Sequence, residues 1–214
     1  MTTLKSENHI AYKEWAAVAE ALDRGLFTMS LRKGGIHEKR GEFSVEHREY
    51  FLFPTYIHQR ASDVVPAVLP LLEASKRDVP PEAESVPPHP TLSFKGRGDP
   101  QPRGTIIIRH YATVEDAVYL EDLAQAHALE GLHPFTKAAV EMRFNYKKPG
   151  LWVILERLYR LPKPVAVQDD RLYAGCRSWV PLKAPLATAG ARPVLSAADF
   201  AERVKAIRTV INGK

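Results

Sequence analysis

Apolar residues near the start of the chain first follow a helical period and then a strand period. Trp15, Val18, Ala19 and Leu22 recur at helical spacing and Gly25 follows them. Phe27, Met29 and Leu31 then alternate with Thr28, Ser30 and Arg32, the period of a half-buried strand, which sends Arg32 to the wet face and starts a turn at Lys33. Tyr50-Phe51-Leu52-Phe53 is a second short apolar run, ended by Pro54. Ser62 stands ahead of Val64, Val65, Val68, Leu69 and Leu72, which predicts a helix capped by its hydroxyl.

The pattern then stops. Residues 78–103 hold Pro80, Pro81, Pro87, Pro88, Pro90, Pro100 and Pro102 with Gly96 and Gly98, an extended connection whose tail carries Lys95, Arg97 and Arg103. Order returns with a β-branched strand over 105–108. Thr113 then reads as the cap of a helix reaching about residue 127, with Asp116 at the capping-box position. Pro134 opens a helix through 136–142, strands follow over 151–159 and 176–180, and a last helix over 196–211 closes at Asn212-Gly213. The expected fold is α+β, with a mixed or mostly antiparallel sheet and flanking helices. An N-terminal lobe (1–77), a proline-rich linker or loop (78–103) and a C-terminal lobe (104–214) are expected to pack as one domain.

Chemistry concentrates in residues 31–59. Gly34-Gly35 admits positive φ, so consecutive N–H groups can converge on one anion while the Arg32 fork and the Lys33 charge approach from the side. A tight hairpin with solvated cations is the plainer alternative. Past the second strand, Thr55, Tyr56, His58 and Gln59 form a polar set suited to a phosphate or a base edge, with Tyr56 as a stacking face; a capping turn around a structural His58 is the alternative. If the chain is catalytic, His58 is the candidate base, Glu20 or Glu38 the acid, and Arg32 and Lys33 the electrostatic stabilisers.

A formal net charge of +5 favours a polyanion without requiring one. Between residues 137 and 160, Lys137, Arg143, Lys147, Lys148, Arg157 and Arg160 interleave with Phe144, Tyr146, Trp152 and Tyr159, which suits a nucleic-acid groove with stacking platforms. Arg143, Lys147 and Lys148 are its candidate contacts. The alternative is an amphipathic helix and strand whose aromatics are core. Asp169-Asp170 reads as a turn and no Glu-x-Lys lies on a strand, so neither a metal nor a cofactor is expected. Eight histidines lack ligand spacing, and a lone Cys176 agrees with a reducing compartment. No apolar run approaches the about 20 residues of a membrane span and the start lacks a signal-peptide core, so a cytoplasmic location is expected.

Glu14-Trp15, Ala21-Leu22, Gly25, Leu31-Arg32-Lys33-Gly34-Gly35-Ile36, Phe53-Pro54-Thr55 and His58-Gln59, followed by Arg143-Phe144, Leu151-Trp152 and Gly175-Cys176-Arg177-Ser178-Trp179, resemble the bacterial family known as domain of unknown function 1802. The resemblance spans nearly the whole chain. It implies, by that family's association with restriction-endonuclease-like domains, a place in defence or DNA transactions. The opening helix, Gly25, strand and cationic turn are also similar in shape to PUA-like and ASCH barrels, which implies a pseudo-barrel. Gly25-Leu26 and Met29-Ser30-Leu31 depart from the glycine-lysine and glutamate-arginine pairs of ASCH domains, and so from ASCH-type hydrolase chemistry. The leading reading is a nucleic-acid or phosphate-binding module, a specificity unit for a nuclease or methyltransferase partner. The alternatives are a small hydrolase or nuclease acting on a nucleotide or phosphodiester, and a structural partner in a defence complex.

Overall fold

Residues 3–33, 44–76, 104–175 and 177–213 are described by the structure, a computed structural model. The expected Gly34-Gly35 turn, Glu38, the proline-rich stretch over 78–103 and Cys176 lie outside them. The chain runs β1 (Glu7–Trp15), α1 (Ala16–Asp23), β2 (Met29–Arg32), β3 (Glu49–Thr55), α2 (Leu69–Ser75) and β4 (Thr105–Leu120). It continues with α3 (Leu123–Ala128), α4 (Lys137–Phe144), β5 (Leu151–Gln168), β6 (Trp179–Ala187), β7 (Arg192–Pro193) and α5 (Ala197–Ile211). Among the described residues the strands make one sheet in the order β2-β5-β4-β3-β1-β6, with β7 added to β5. β1 and β3 run parallel and the other pairings are antiparallel, so the sheet is mixed and mostly antiparallel, as expected. The N-terminal lobe's β1 and β2 pair with β6 and β5 of the C-terminal lobe.

Both faces of the sheet are covered, and strand alternation shows how. Tyr50 and Leu52 join Tyr12 in the larger core with the helices, while Phe51 and Phe53 join Ala11 and Tyr111 in a smaller core on the other side. Burial on both faces explains the unbroken apolar run of β3. Gly25, at φ +65°, ends α1, and Leu26 N–H donates back to the Ala21 carbonyl at 3.0 Å. The last helix forms as expected, and Ser196 caps it, its hydroxyl accepting from Asp199 N–H at 3.1 Å.

Expectation and structure differ in three places. The helix expected from Thr113 is strand: residues 105–120 belong to β4, which pairs along β5 from Leu120↔Leu151 to Thr105↔Gln168, with a bulge between Val114 and Asp116. A long antiparallel partner outweighs a local capping signal, and the helical cap falls instead on Asp122, which accepts from Ala124 N–H at 2.8 Å. Ser62 does not cap a helix; Pro66 follows in a 3₁₀ turn, and α2 begins only at Leu69. β1 is an element absent from the expected set. Among the described residues no helix is long and apolar enough to cross a membrane.

Gly150 supplies a close approach that the fold requires. At φ +127° it lies against the Tyr119 ring, where a Cβ would overlap the ring and its hydroxyl, and its N–H donates to the Phe144 carbonyl at 3.1 Å. Gly150→Ala should lower the unfolding free energy by roughly 1–3 kcal/mol. An unchanged urea midpoint would show that the turn relaxes at no cost.

Candidate functional site

The end of β1 collects the functional side chains. Glu14 is buried; its Oε1 accepts from Trp15 N–H at 2.8 Å and its Oε2 accepts from Arg32 Nη2 at 3.2 Å. Arg32 comes from β2, which among the described residues pairs only with β5, so its side chain crosses from one end of that sheet to β1 near the other. There it donates also to the Tyr12 hydroxyl and the Lys13 carbonyl, with its guanidinium 4.2 Å from the Tyr12 ring centroid. The side chain is 19% exposed, so Arg32 does not point to the wet face. Thr28, Ser30 and Arg32 do share a face, but that face looks into the protein: Thr28 and Ser30 are buried. Burial alone would pull the Arg32 pKa down; Glu14 and the Tyr12 oxygen reverse this and hold it above its ordinary value.

Deeper inside, Glu156 of β5 is buried among hydroxyls. Tyr50 donates to its Oε2 at 2.6 Å and Ser30 donates to its Oε1. Tyr12, Tyr50 and Trp179 pack over this centre, with ring centroids 4.8 to 5.1 Å apart. Desolvation raises the Glu156 pKa to about 7, against the two hydroxyl bonds, which lower it. Burial likewise lifts Tyr12 and Tyr50 well above the usual phenol value, so both remain neutral.

Arg143, on α4, stacks over this same end of the sheet. Its guanidinium carbon lies 3.7 Å from the Phe135 ring centroid and 5.0 Å from that of Trp15. Stacking is all that holds it: among the described residues it makes no hydrogen bond and no ion pair. Burial lowers its pKa to about 10, with Glu14 opposing and Arg32 adding to the fall, so it is charged at neutral pH. Nearby, buried His133 accepts from Phe135 N–H at Nδ1, which leaves Nε2 as the protonated nitrogen. Among the described residues that buried donor has no partner, and burial lowers the ring's pKa to about 4.

The other candidates divide. Lys33 gives its ammonium to the carbonyls of Phe144, Lys148 and Gly150, closing the C-terminal end of α4. Thr55 donates to the Glu14 carbonyl at 3.1 Å, so it meets Arg32 at Glu14. Gln59 Oε1 accepts from Ala17 N–H at 2.9 Å, capping α1, and its Nε2 reaches the Tyr56 carbonyl and Ser75, both at 3.4 Å. Tyr56 is half-buried, whereas His58 is exposed at φ +66°, and no hydrogen bond or ion pair among the described residues joins it to Arg32 or Lys33. Glu20 pairs with Arg24 at 2.9 Å on α1. Lys147 and Lys148 are exposed beside Tyr146. Asp170 pairs with Lys183, and among the described residues no group of three histidine, cysteine or carboxylate side chains could hold a metal. Tyr12, Glu14, Trp15, Ser30, His133 and Glu156 are site residues that sequence reasoning passed over. Glu156 carried a signal, since it shares the inward alternation of Ile154 and Leu158.

Fold and site together define a small α+β protein whose one sheet, bridged near its ends by a side chain, holds a polar centre inside. The chain belongs to the family described as domain of unknown function DUF1802, whose model matches residues 11–206. Crystal structures of the ASCH protein of Zymomonas mobilis are similar to it. Two mutant forms share 12% identity with TM-scores of 0.37 and 0.39, covering 95% and 92% of this chain and 99% and 96% of theirs. A third, of ASCH from the same organism, shares 9% identity at a TM-score of 0.36, covering 92% of this chain and 93% of that one. These are distant likenesses. No curated protein matches the chain.

The Glu156 carboxyl binds its proton more tightly in the folded than in the unfolded chain. Its stabilising contribution is full below the ordinary 4.5 and is lost as pH rises to about 7. His133 works oppositely, losing stability as pH falls from 6.5 to about 4, so the two offset each other in wild type over part of this range. Glu156→Gln isolates the first. Relative to wild type, it should gain on the order of 3 kcal/mol between about pH 5 and about pH 8. A stability difference that stays constant across that range would refute the buried, near-neutral carboxyl.

Proposed function

We propose that this chain is a nucleic-acid-binding module that grips a backbone phosphate with Arg143. The observation that carries the reading is a charged, largely desolvated guanidinium, fixed by two aromatic rings, whose N–H donors meet no protein acceptor among the described residues. A planar fork held rigid in this way is suited to phosphate oxygens, and loses little freedom on binding them. Arg32 adds positive charge near it while its own bonds go to β1. Exposed Lys147, Lys148 and Tyr146, just beyond α4, extend a cationic and aromatic surface along which a strand can continue. As the specificity unit of a nuclease or methyltransferase partner, the module would present this surface to DNA or RNA.

A second reading, a small hydrolase acting on a nucleotide or phosphodiester, draws support from Glu156, a carboxyl that titrates near neutrality beside Tyr50 and Ser30. It predicts turnover that Glu156→Gln abolishes while nucleic-acid binding survives.

Anisotropy titrations of single- and double-stranded DNA and RNA at several salt concentrations test the binding reading. Arg143→Ala should weaken binding roughly tenfold or more and reduce the salt slope by about one. Arg143→Lys should recover little, because it restores the charge without the fork. Wild-type affinity and slope in Arg143→Ala would refute the assignment.

A further inference from the structure

One residue along β5 from Glu156, Arg157 lies directly across the ladder from Thr113 of β4, and both line a groove of about 470 Å³ beneath α5. The volume is that of a small-molecule site. Ala197 and Ala201, one helical turn apart on α5, leave the space open, while Phe200 and Val204 form an apolar wall. The Arg157 guanidinium lies 5.7 Å from the Tyr159 ring centroid and 5.5 Å from that of Phe200. Among the described residues its Nε is buried without a hydrogen-bond partner, and no hydrogen bond or ion pair engages the side chain. Arg157 as a whole is half-buried and lines the groove, so its planar fork, unpaired among the described residues, can meet an acceptor there. Glu115, the acid among the lining residues, is already paired with Arg208 at 3.6 Å, and Arg208 is held further by Asp116 at 3.0 Å. Arg157 and Lys205 therefore leave the groove positive.

We propose that this groove binds a small amphipathic anion, a phosphate or carboxylate on a flat apolar body. The anionic head meets Arg157, with Lys205 at the rim. The body lies along Phe200 and Val204, in the space left by Ala197 and Ala201. None of these residues belongs to the Arg143 site, and the inference does not depend on nucleic-acid binding.

Phenyl phosphate and benzoate titrated into the full chain, followed by amide NMR shifts, provide the test. At least one should saturate with a Kd on the order of 1 mM or tighter, with shifts centred on α5 and its β4 and β5 neighbours; which one does identifies the head group. Inorganic phosphate, lacking the apolar body, should bind more weakly than phenyl phosphate. Arg157→Gln should weaken binding roughly tenfold, the loss expected for one hydrogen-bonded charge. Ala201→Phe, which fills the groove and leaves Arg157 in place, should weaken it as much, and it decides the matter if Arg157→Gln does not fold. Failure of both probes to saturate, shifts confined to other elements, or undiminished binding in either folded variant would overturn the proposal.

Discussion

A guanidinium stretched between two strands that do not pair with each other sets the terms for this fold. Among the described residues β2 hydrogen-bonds only to β5 and β1 only to β3 and β6, yet Arg32 of β2 donates to Tyr12, Lys13 and Glu14 of β1. A charge this desolvated is tolerable only when paired and hydrogen-bonded, so Glu14, a carbonyl and a phenol oxygen must converge on it. Their convergence curls the sheet and fixes the end of β1. Trp15 follows Glu14 directly and carries Arg143 on its ring, while the Glu14 carbonyl receives Thr55. The candidate site is thus positioned by a contact that does not itself face a ligand.

That arrangement separates three arginines which look alike in composition. Arg32 is engaged by β1 and structural. Arg143 and Arg157 are each set against two aromatic rings and lack acceptors among the described residues. The stretch of cations and aromatics over 137–160 is accordingly not one surface. Arg143 goes to the end of β1, Arg157 to the groove under α5, and Arg160 to the Asp23 carboxylate and carbonyl. Lys147 and Lys148 stay exposed.

Much of the fold was legible because local signals agreed with tertiary context. The alternation of residues 27–32, the β3 run and the last helix with its Asn212-Gly213 end all follow from period and helix-end signals, and the motifs from Glu14-Trp15 to Ser178-Trp179 pointed to the family. Legibility failed where a distant partner decided the outcome. Thr113 and Asp116 have the spacing of a capping box, yet pairing with β5 holds them in β4. The alternation of Thr28, Ser30 and Arg32 was real, but period alone cannot say whether a polar face meets water or a buried carboxylate on another strand. Arg32 and Lys33, adjacent to a glycine pair, looked available for an anion, and only the fold reveals the carbonyls and the Glu14 carboxylate that occupy them. Arg143 was named from sequence for its charge; its partnerless stacking could not be, since Trp15 and Phe135 come from distant segments.

The account turns on Arg32 being a strut and not a ligand contact. A urea-unfolding double-mutant cycle of Arg32→Met and Glu14→Gln, with nucleic-acid affinity measured on each variant, tests this most directly. Arg32→Met should lower stability by about 3–5 kcal/mol, because it strands a buried Glu14. The two changes should couple by roughly 0.5–3 kcal/mol, so that the double variant recovers part of the loss. Full stability in Arg32→Met together with abolished nucleic-acid binding would contradict the account, making Arg32 the ligand contact and the bridge to β1 incidental.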